Sequence, residues 1–370
     1  MKYFRELFKN IDMLLLLLPV FFAVISIVMI GSTAYDGEFV FNRSIKVQMV
    51  AFALGIGVLF FTMLIDYNKF ERIHWYLYGF SILFLLTVFI PGLGSEQYGA
   101  RAWLDLKVVY LQPAEIVKIT FTLSYAAFLA KYQESLQTRK GFFVAVGYVI
   151  PFLFIIVVLQ NDLGNALVLL VGAVFMLFAA GLRTGIFLTA AAAVCAAVPA
   201  AYFVMAPHQR ERIDAFLHPE DLSLEGNYQV WNSKVAIGSG GVSGKGLFQG
   251  TQKELKFLPV QDSDFIFSVI CEEFGMMGGL TVIALYSLYL YRIFRIGTNA
   301  KDLYGNLIVM GIFGMFLFQI FENIGMTMGI MPVTGITLPF ISAGGTSVIT
   351  NMFALGIILN ICIRSKVINF

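Results

Sequence analysis

The residue best placed to do chemistry is Asp264. It belongs to the stretch from His208 to Gly275, which holds the one long polar segment of an otherwise apolar chain, and an apolar run opens at the next residue, Phe265. A carboxylate at such a junction can take a proton from a substrate hydroxyl as a general base. It can equally cap the helix it precedes, and the residues alone leave both roles open. Asp262 stands two residues earlier, near enough to modulate the charge on Asp264.

A second charged set is Glu115 and Lys118. Three residues apart, they share one helical face, roughly 8–12 Å along the helix from Tyr110. Charges inside an apolar run are costly, which makes them informative. The pair either neutralises itself where two helices pack or lines a polar cavity.

Several cations could hold an anion. Arg101 stands beside Trp103, a pairing that alone reads as an anchor at a membrane surface. His208, Arg210 and Arg212 lie close together, and Lys245 is set in the glycine-rich run IGSGGVSGKGLFQG (237–250). Backbone N–H groups of such a run could cradle an anion, but G-x-x-x-x-G-K-[ST] is absent, and a flexible outer loop explains the glycines as well. Asp162, in the tight turn QNDLG, reads first as a helix cap. Glu272 and Glu273 are adjacent carboxylates inside an apolar run, so at least one must face a cavity or a cation. In MPVTGITLPFISAGGTS (331–347) the prolines and glycines rule out continuous helix, and irregular backbone at this depth lines a cavity.

The elements that position these groups follow from composition. Of 370 residues 59% are hydrophobic and 13% charged, against roughly 45–50% and about 25% in ordinary globular domains. This is an all-α integral membrane protein. The balance of 25 Lys+Arg to 23 Asp+Glu offers no basic stripe for nucleic acid. Cys195, Cys271 and Cys362 are scattered in or beside apolar runs and read as small buried side chains. Cutting wherever charge, proline or glycine interrupts lengths of about 20 apolar residues gives ten spans in a single membrane domain, 1–370. They are 11–31, 45–65, 74–92, 110–130, 141–159, 162–181, 184–206, 265–291, 305–329 and 346–363. The first is too long for the apolar core of a cleaved signal peptide. Short connections on one face hold most of the basic residues, among them Lys69, Arg72, Lys131, Arg139, Lys140, Arg292 and Arg295. The other face has only Arg43, Lys46, Arg101 and Lys107, so both termini are expected in the cytoplasm and the large loop 207–264 outside.

Five segments, GARAWLDL (99–106), LQPAEIVK (111–118), QNDLGNALV (160–168), the stretch 208–275 and NIGMTMGIMPVTGITLPFISAGGTS (323–347), together resemble the shape, elongation, division and sporulation (SEDS) family. HQRERIDAFLHP, SKVAIGSGGVSGKG and GTQKELKFLP look more like its elongation (RodA) branch than its division (FtsW) branch. The resemblance implies a ten-helix glycosyltransferase that polymerises lipid II at the outer face of the bacterial cytoplasmic membrane. Its implied partners are a class B penicillin-binding protein and other elongation-complex membrane proteins. The family's essential aspartate matches Asp264, the Glu and Lys of its QPxExxK motif match Glu115 and Lys118, and its loop arginine most nearly matches Arg101. Departures are Ala102 in the arginine loop, Val260-Gln261-Asp262-Ser263 before the aspartate, Asn161 and Ala343.

On that reading Asp264 is the base in a single inverting displacement on a lipid-pyrophosphate donor. Arg101, Lys118, Arg210 and Lys245 are candidates to hold pyrophosphate, with Glu115 orienting Lys118 and Asp262 as a modulator. A divalent cation at the pyrophosphate stays open, although no residues have metal-ligand spacing. The rival functions are a flippase for the lipid-linked precursor and a non-catalytic scaffold for the penicillin-binding protein.

Overall fold

The structure is a computed structural model that describes residues 11–366, apart from 36, 39–40, 98, 108, 190–191, 193–195, 197–201, 204–206 and 252–259. Helices dominate it: α1 (Met13–Thr33), α2 (Arg43–Leu64), α3 (His74–Leu86), α4 (Pro113–Lys131), α5 (Arg139–Phe154), α6 (Leu163–Ala179), α7 (Pro207–Leu217), α8 (Glu225–Ser239), α9 (Ile266–Thr298), α10 (Leu303–Met328) and α11 (Gly345–Lys366). Among the described residues, six helical stretches are long and apolar enough to cross a membrane: α1, α2, α5 continued to Leu159, α9, α10 and most of α11. Two shorter apolar helices are α3, prolonged to Phe89, and α6. Most of the expected span 184–206 lies outside the described residues.

Local chemistry sets where helices begin. Asp12, Asn42, Asp162 and Asp302 each accept a backbone N–H from the first turn of α1, α2, α6 and α10, satisfying donors that the helix leaves open. Pro113 opens α4, where its missing N–H costs nothing. Helix α4 is then buried on nearly every side, packed against α3, α6 and α10. It is the axis of the bundle.

Between apolar helices in lipid, association depends on close packing rather than on water exclusion. Helices α6 and α10 meet through Gly172 and Gly311: a Cβ on either would lie 2.7 Å from the side chain of Met315 or Met176. Helix α11 lies along α2, and α9 packs against α1 and α10.

Two regions differ from a simple span-and-loop pattern. The connection before α4 is a small antiparallel sheet, β1 (Gly94–Gln97), β2 (Ala100–Asp105) and β3 (Tyr110–Leu111), in the order β1-β2-β3. Alternation in β2 buries Ala102 and Leu104 and sets Arg101 and Trp103 on the opposite side.

The stretch 207–264 is not an open loop: it contains α7 and α8. Helix α8 has too little apolar character to register as a span, yet it packs on α9 and α10. Its buried Ser233 hydroxyl lies 2.6 Å from that of Ser268 and donates to the Thr327 carbonyl at 2.7 Å. The glycine-rich run that follows is a strap seated on α9, in place of the flexible loop that its composition allowed. Helix α9 breaks at Gly275 (φ 66°), and the carbonyls freed there are taken by Lys245 N–H and Gly246 N–H, each at 3.0 Å from Glu272 and Glu273. Met276 N–H returns a bond to Gly241 at 2.9 Å. A Cβ on Gly275 would sit 2.3 Å from Gly244 N, in a backbone conformation that L side chains rarely adopt. Gly275→Ala should therefore cost at least about 1–3 kcal/mol, read as a lower Tm of the detergent-purified protein.

Candidate active site

The sequence left Asp264 two roles, and the geometry separates them. Helix α9 has Phe265 at its N-cap and no side-chain cap bond. The Asp264 carboxylate instead accepts the Ser263 hydroxyl on Oδ1 at 2.9 Å. Its Oδ2 accepts no hydrogen bond among the described residues and faces Gly335, where an added Cβ would lie 3.5 Å away. The group is half-buried. Burial lifts its pKa above the ordinary aspartate value, neighbouring Asp262 adds to the rise, and the Ser263 bond and the Arg212 charge oppose it. A carboxylate with one oxygen fixed, one free and a raised pKa suits proton abstraction.

The segment bearing Asp264 is held by backbone-directed bonds. Ala343 N–H donates to the Asp262 carbonyl at 2.9 Å, the Ser342 hydroxyl to the Ser263 carbonyl at 2.5 Å, and Asn323 Nδ2 to the Asp264 carbonyl at 3.0 Å. Gln261 Nε2 reaches the Thr33 carbonyl at the end of α1. The irregular segment 331–344 is pinned in turn. Buried Gln48 donates to the Ser342 carbonyl and accepts from Gly344 N–H, Ser26 donates to Ile341, and Tyr286 to Pro339. Four helices, α1, α2, α9 and α10, thus fix the backbone that bears one carboxylate, the condition for a preorganised base.

The other expected site residues lie toward the same end of the bundle but in separate clusters. Lys118 Nζ donates to Glu115 Oε1 at 2.7 Å, and both side chains are almost fully buried, at 5% and 6% exposure. Arg101 donates from Nε to the Val88 carbonyl at 3.2 Å and lies over the Phe89 ring, while its backbone N–H meets Gln160. Arg210 bonds the Phe203 carbonyl and stacks near Tyr202. Lys245 pairs with buried Glu272 at 2.7 Å, which supplies the cation that one of the adjacent carboxylates needed; Ser32 donates to the other, Glu273. Asp162 caps α6 and also accepts Gln112 Nε2 at 2.9 Å. Among the described residues, no hydrogen bond or ion pair joins Arg101, Lys118, Arg210 or Lys245 to Asp264.

The structure puts two other ionisable side chains there. Arg212 Nη1 donates to the Thr334 carbonyl at 3.2 Å, and Glu322 accepts the Thr334 hydroxyl. Arg212 acts electrostatically on both Asp264 and Glu322. Glu322 was readable as a lone carboxylate inside the apolar run 305–329, the same signal that marked Glu115. Among the described residues no cluster of three His, Cys, Asp or Glu side chains could hold a metal ion. A divalent cation would have to draw most of its ligands from a bound pyrophosphate.

The opposite end carries structural ion pairs: Arg292 reaches Asp12 at 2.5 and 2.9 Å, and Arg364 reaches Asp66 at 3.2 Å. Apolar helices that gather an unpaired carboxylate on a pinned backbone at one end define a multi-pass membrane protein with a candidate site at that end. Which one is decided by comparison. The chain matches the family model FTSW_RODA_SPOVE, described as cell cycle protein, over residues 5–367, and it belongs to that family. It is 34% identical over 367 residues to stage V sporulation protein E of Bacillus subtilis, covering 96% of this chain and 98% of the relative. It is 36% identical over 296 residues to peptidoglycan glycosyltransferase MrdB of Escherichia coli, 80% of each chain. A chain from a peptidoglycan synthase complex, solved to show how polymerization and crosslinking are coordinated, superposes with a TM-score of 0.80 at 30% identity, covering 97% and 99% of the two chains.

Proposed function

We propose that this protein is a peptidoglycan glycosyltransferase that polymerises lipid II into glycan strands at the outer face of the cytoplasmic membrane, with Asp264 as general base. The observation that carries this reading is the free Oδ2 of a carboxylate that caps no helix. The reaction demands little more. A sugar hydroxyl attacks the anomeric carbon of a lipid-pyrophosphate, Asp264 takes its proton, and pyrophosphate leaves once its charge is met by cations. Arg212, whose charge acts on Asp264, serves that purpose, and Arg101, Lys118, Arg210 and Lys245 complete the set where substrate draws them from their present partners. Asp262 modulates the base by its charge.

Similarity to a chain of a peptidoglycan synthase complex supports a class B penicillin-binding protein as partner. The glycine-rich strap and the segment around Arg210 support elongation as the setting, beside other membrane proteins of that machinery. The distribution of Lys and Arg supports ten spans with both termini inside and Asp264 outside.

The test is polymerisation of purified lipid II by the detergent-purified protein, with and without its penicillin-binding partner carrying an inactivated transpeptidase. Glycan strands are expected. Lipid II crossing the bilayer of proteoliposomes, with no glycan formed even with the partner, would establish the flippase instead.

A further inference from the structure

Glu322 is a carboxylate that the proposed reaction does not use. It is fully buried in α10, and its Oε2 takes no hydrogen bond among the described residues, while Thr334 donates its hydroxyl to Oε1. Thr334 and Gly335 run from this carboxylate to the base, since a Cβ on Gly335 would lie 3.5 Å from Asp264 Oδ2. Asn323, the next residue of α10, donates to the carbonyls of Asp264 at 3.0 Å and Ile336 at 2.8 Å, closing the loop of contacts. Arg212 bonds the Thr334 carbonyl between the two acids.

Packing alone gives no reason for a carboxyl group here. A threonine hydroxyl can donate to any carbonyl, and an apolar side chain of similar volume would spare the burial of a carboxylate with an unmatched oxygen. We infer that Glu322 is a positioning residue for Asp264, which shares Arg212 with the base and holds the Thr334–Gly335 backbone against its free oxygen. The inference rests on the transferase reading above.

The charged groups facing this pair are Arg212 from α7, Asp262 beside Asp264, and Lys234 of α8, whose Nζ would lie 2.5 Å from a Cβ on Gly329, about two turns along α10. Thr334 is the link between the two acids, and losing its bond to Glu322 should let the Thr334–Gly335 backbone drift from the free oxygen of Asp264.

The experiment measures kcat and KM for lipid II polymerisation with the full-length chain and its transpeptidase-blocked partner. In Glu322→Leu, which removes the acceptor for Thr334, kcat is expected to fall by about tenfold or more with KM little changed, because misplacing a reacting group is costly. Glu322→Gln keeps an acceptor for Thr334 and should restore most of that rate. Full activity in an assembled Glu322→Leu complex, or an equal loss in both variants, overturns the inference and leaves the transferase reading standing. A wild-type complex that makes no glycan overturns both.

Discussion

Asp264→Asn should abolish lipid II polymerisation, by about 10²–10⁴-fold for loss of a general base alone, while the protein still folds and assembles. The amide has the carboxylate's shape, so Ser263 can still donate to Oδ1 and Asn323 can still hold the main-chain carbonyl. Only proton acceptance at Oδ2 is removed. Asp262→Asn should keep most of the activity, because the fixed contact of that residue is through its carbonyl, bonded to Ala343 N–H. Gel analysis of glycan strands decides the matter: activity kept in Asp264→Asn and lost in Asp262→Asn would move the base by two residues.

The same substitution has a consequence for stability. Burial raises the Asp264 pKa in the folded protein above its unfolded value. The fold then binds the proton more tightly than the unfolded chain does, so this group favours folding fully below the unfolded pKa. That advantage is lost as pH rises through the folded value. At pH 7 ionisation favours the unfolded chain more than the fold, and Asp264→Asn should unfold at an equal or higher Tm than wild type. A clear fall in Tm would mean that the carboxylate is held for structure. The same raised pKa sets the acid limb of the wild-type rate above pH 4, where an ordinary aspartate titrates.

How much of this was legible before folding depends on the length scale of each signal. Runs of about 20 apolar residues mark α1, α2 and α10 directly, because the bilayer demands length and apolarity together. Helix α8 was not legible: Asn232 and Ser233 are polar, and they are buried because Asn232 donates to the Tyr228 carbonyl one turn back while Ser268 and Thr327 on other helices satisfy Ser233. The glycine-rich strap misled for a related reason. Its glycines permit close approach to α9 at Gly275, a contact between segments that no local pattern announces. Within the site, Asp264 stood out by its place before an apolar run, and Asp162 was rightly read as a cap. That Arg212, two residues from Arg210, would be the cation at Asp264 follows from which face of α7 meets the 331–344 segment. Spacing alone does not choose that face.

The Glu115–Lys118 pair separates packing from binding. Removing either partner leaves the other charged and buried beside apolar helices, so Glu115→Ala or Lys118→Ala should each cost about 3–5 kcal/mol, seen as a large fall in Tm. The double variant Glu115→Leu with Lys118→Met replaces both by apolar side chains and should regain most of that loss, since a buried pair adds little over well-packed hydrophobic residues. If Lys118 holds pyrophosphate, it must leave Glu115 when the donor binds, and the pair's near-complete burial means the surrounding helices must part to admit it. The double variant is then expected to be stable yet at least tenfold slower in polymerising lipid II. Full activity in a stable double variant would reduce the pair to a device for packing α4 at the centre of the bundle. The cationic role would pass to Arg212, which bonds the Thr334 carbonyl and whose charge acts on Asp264.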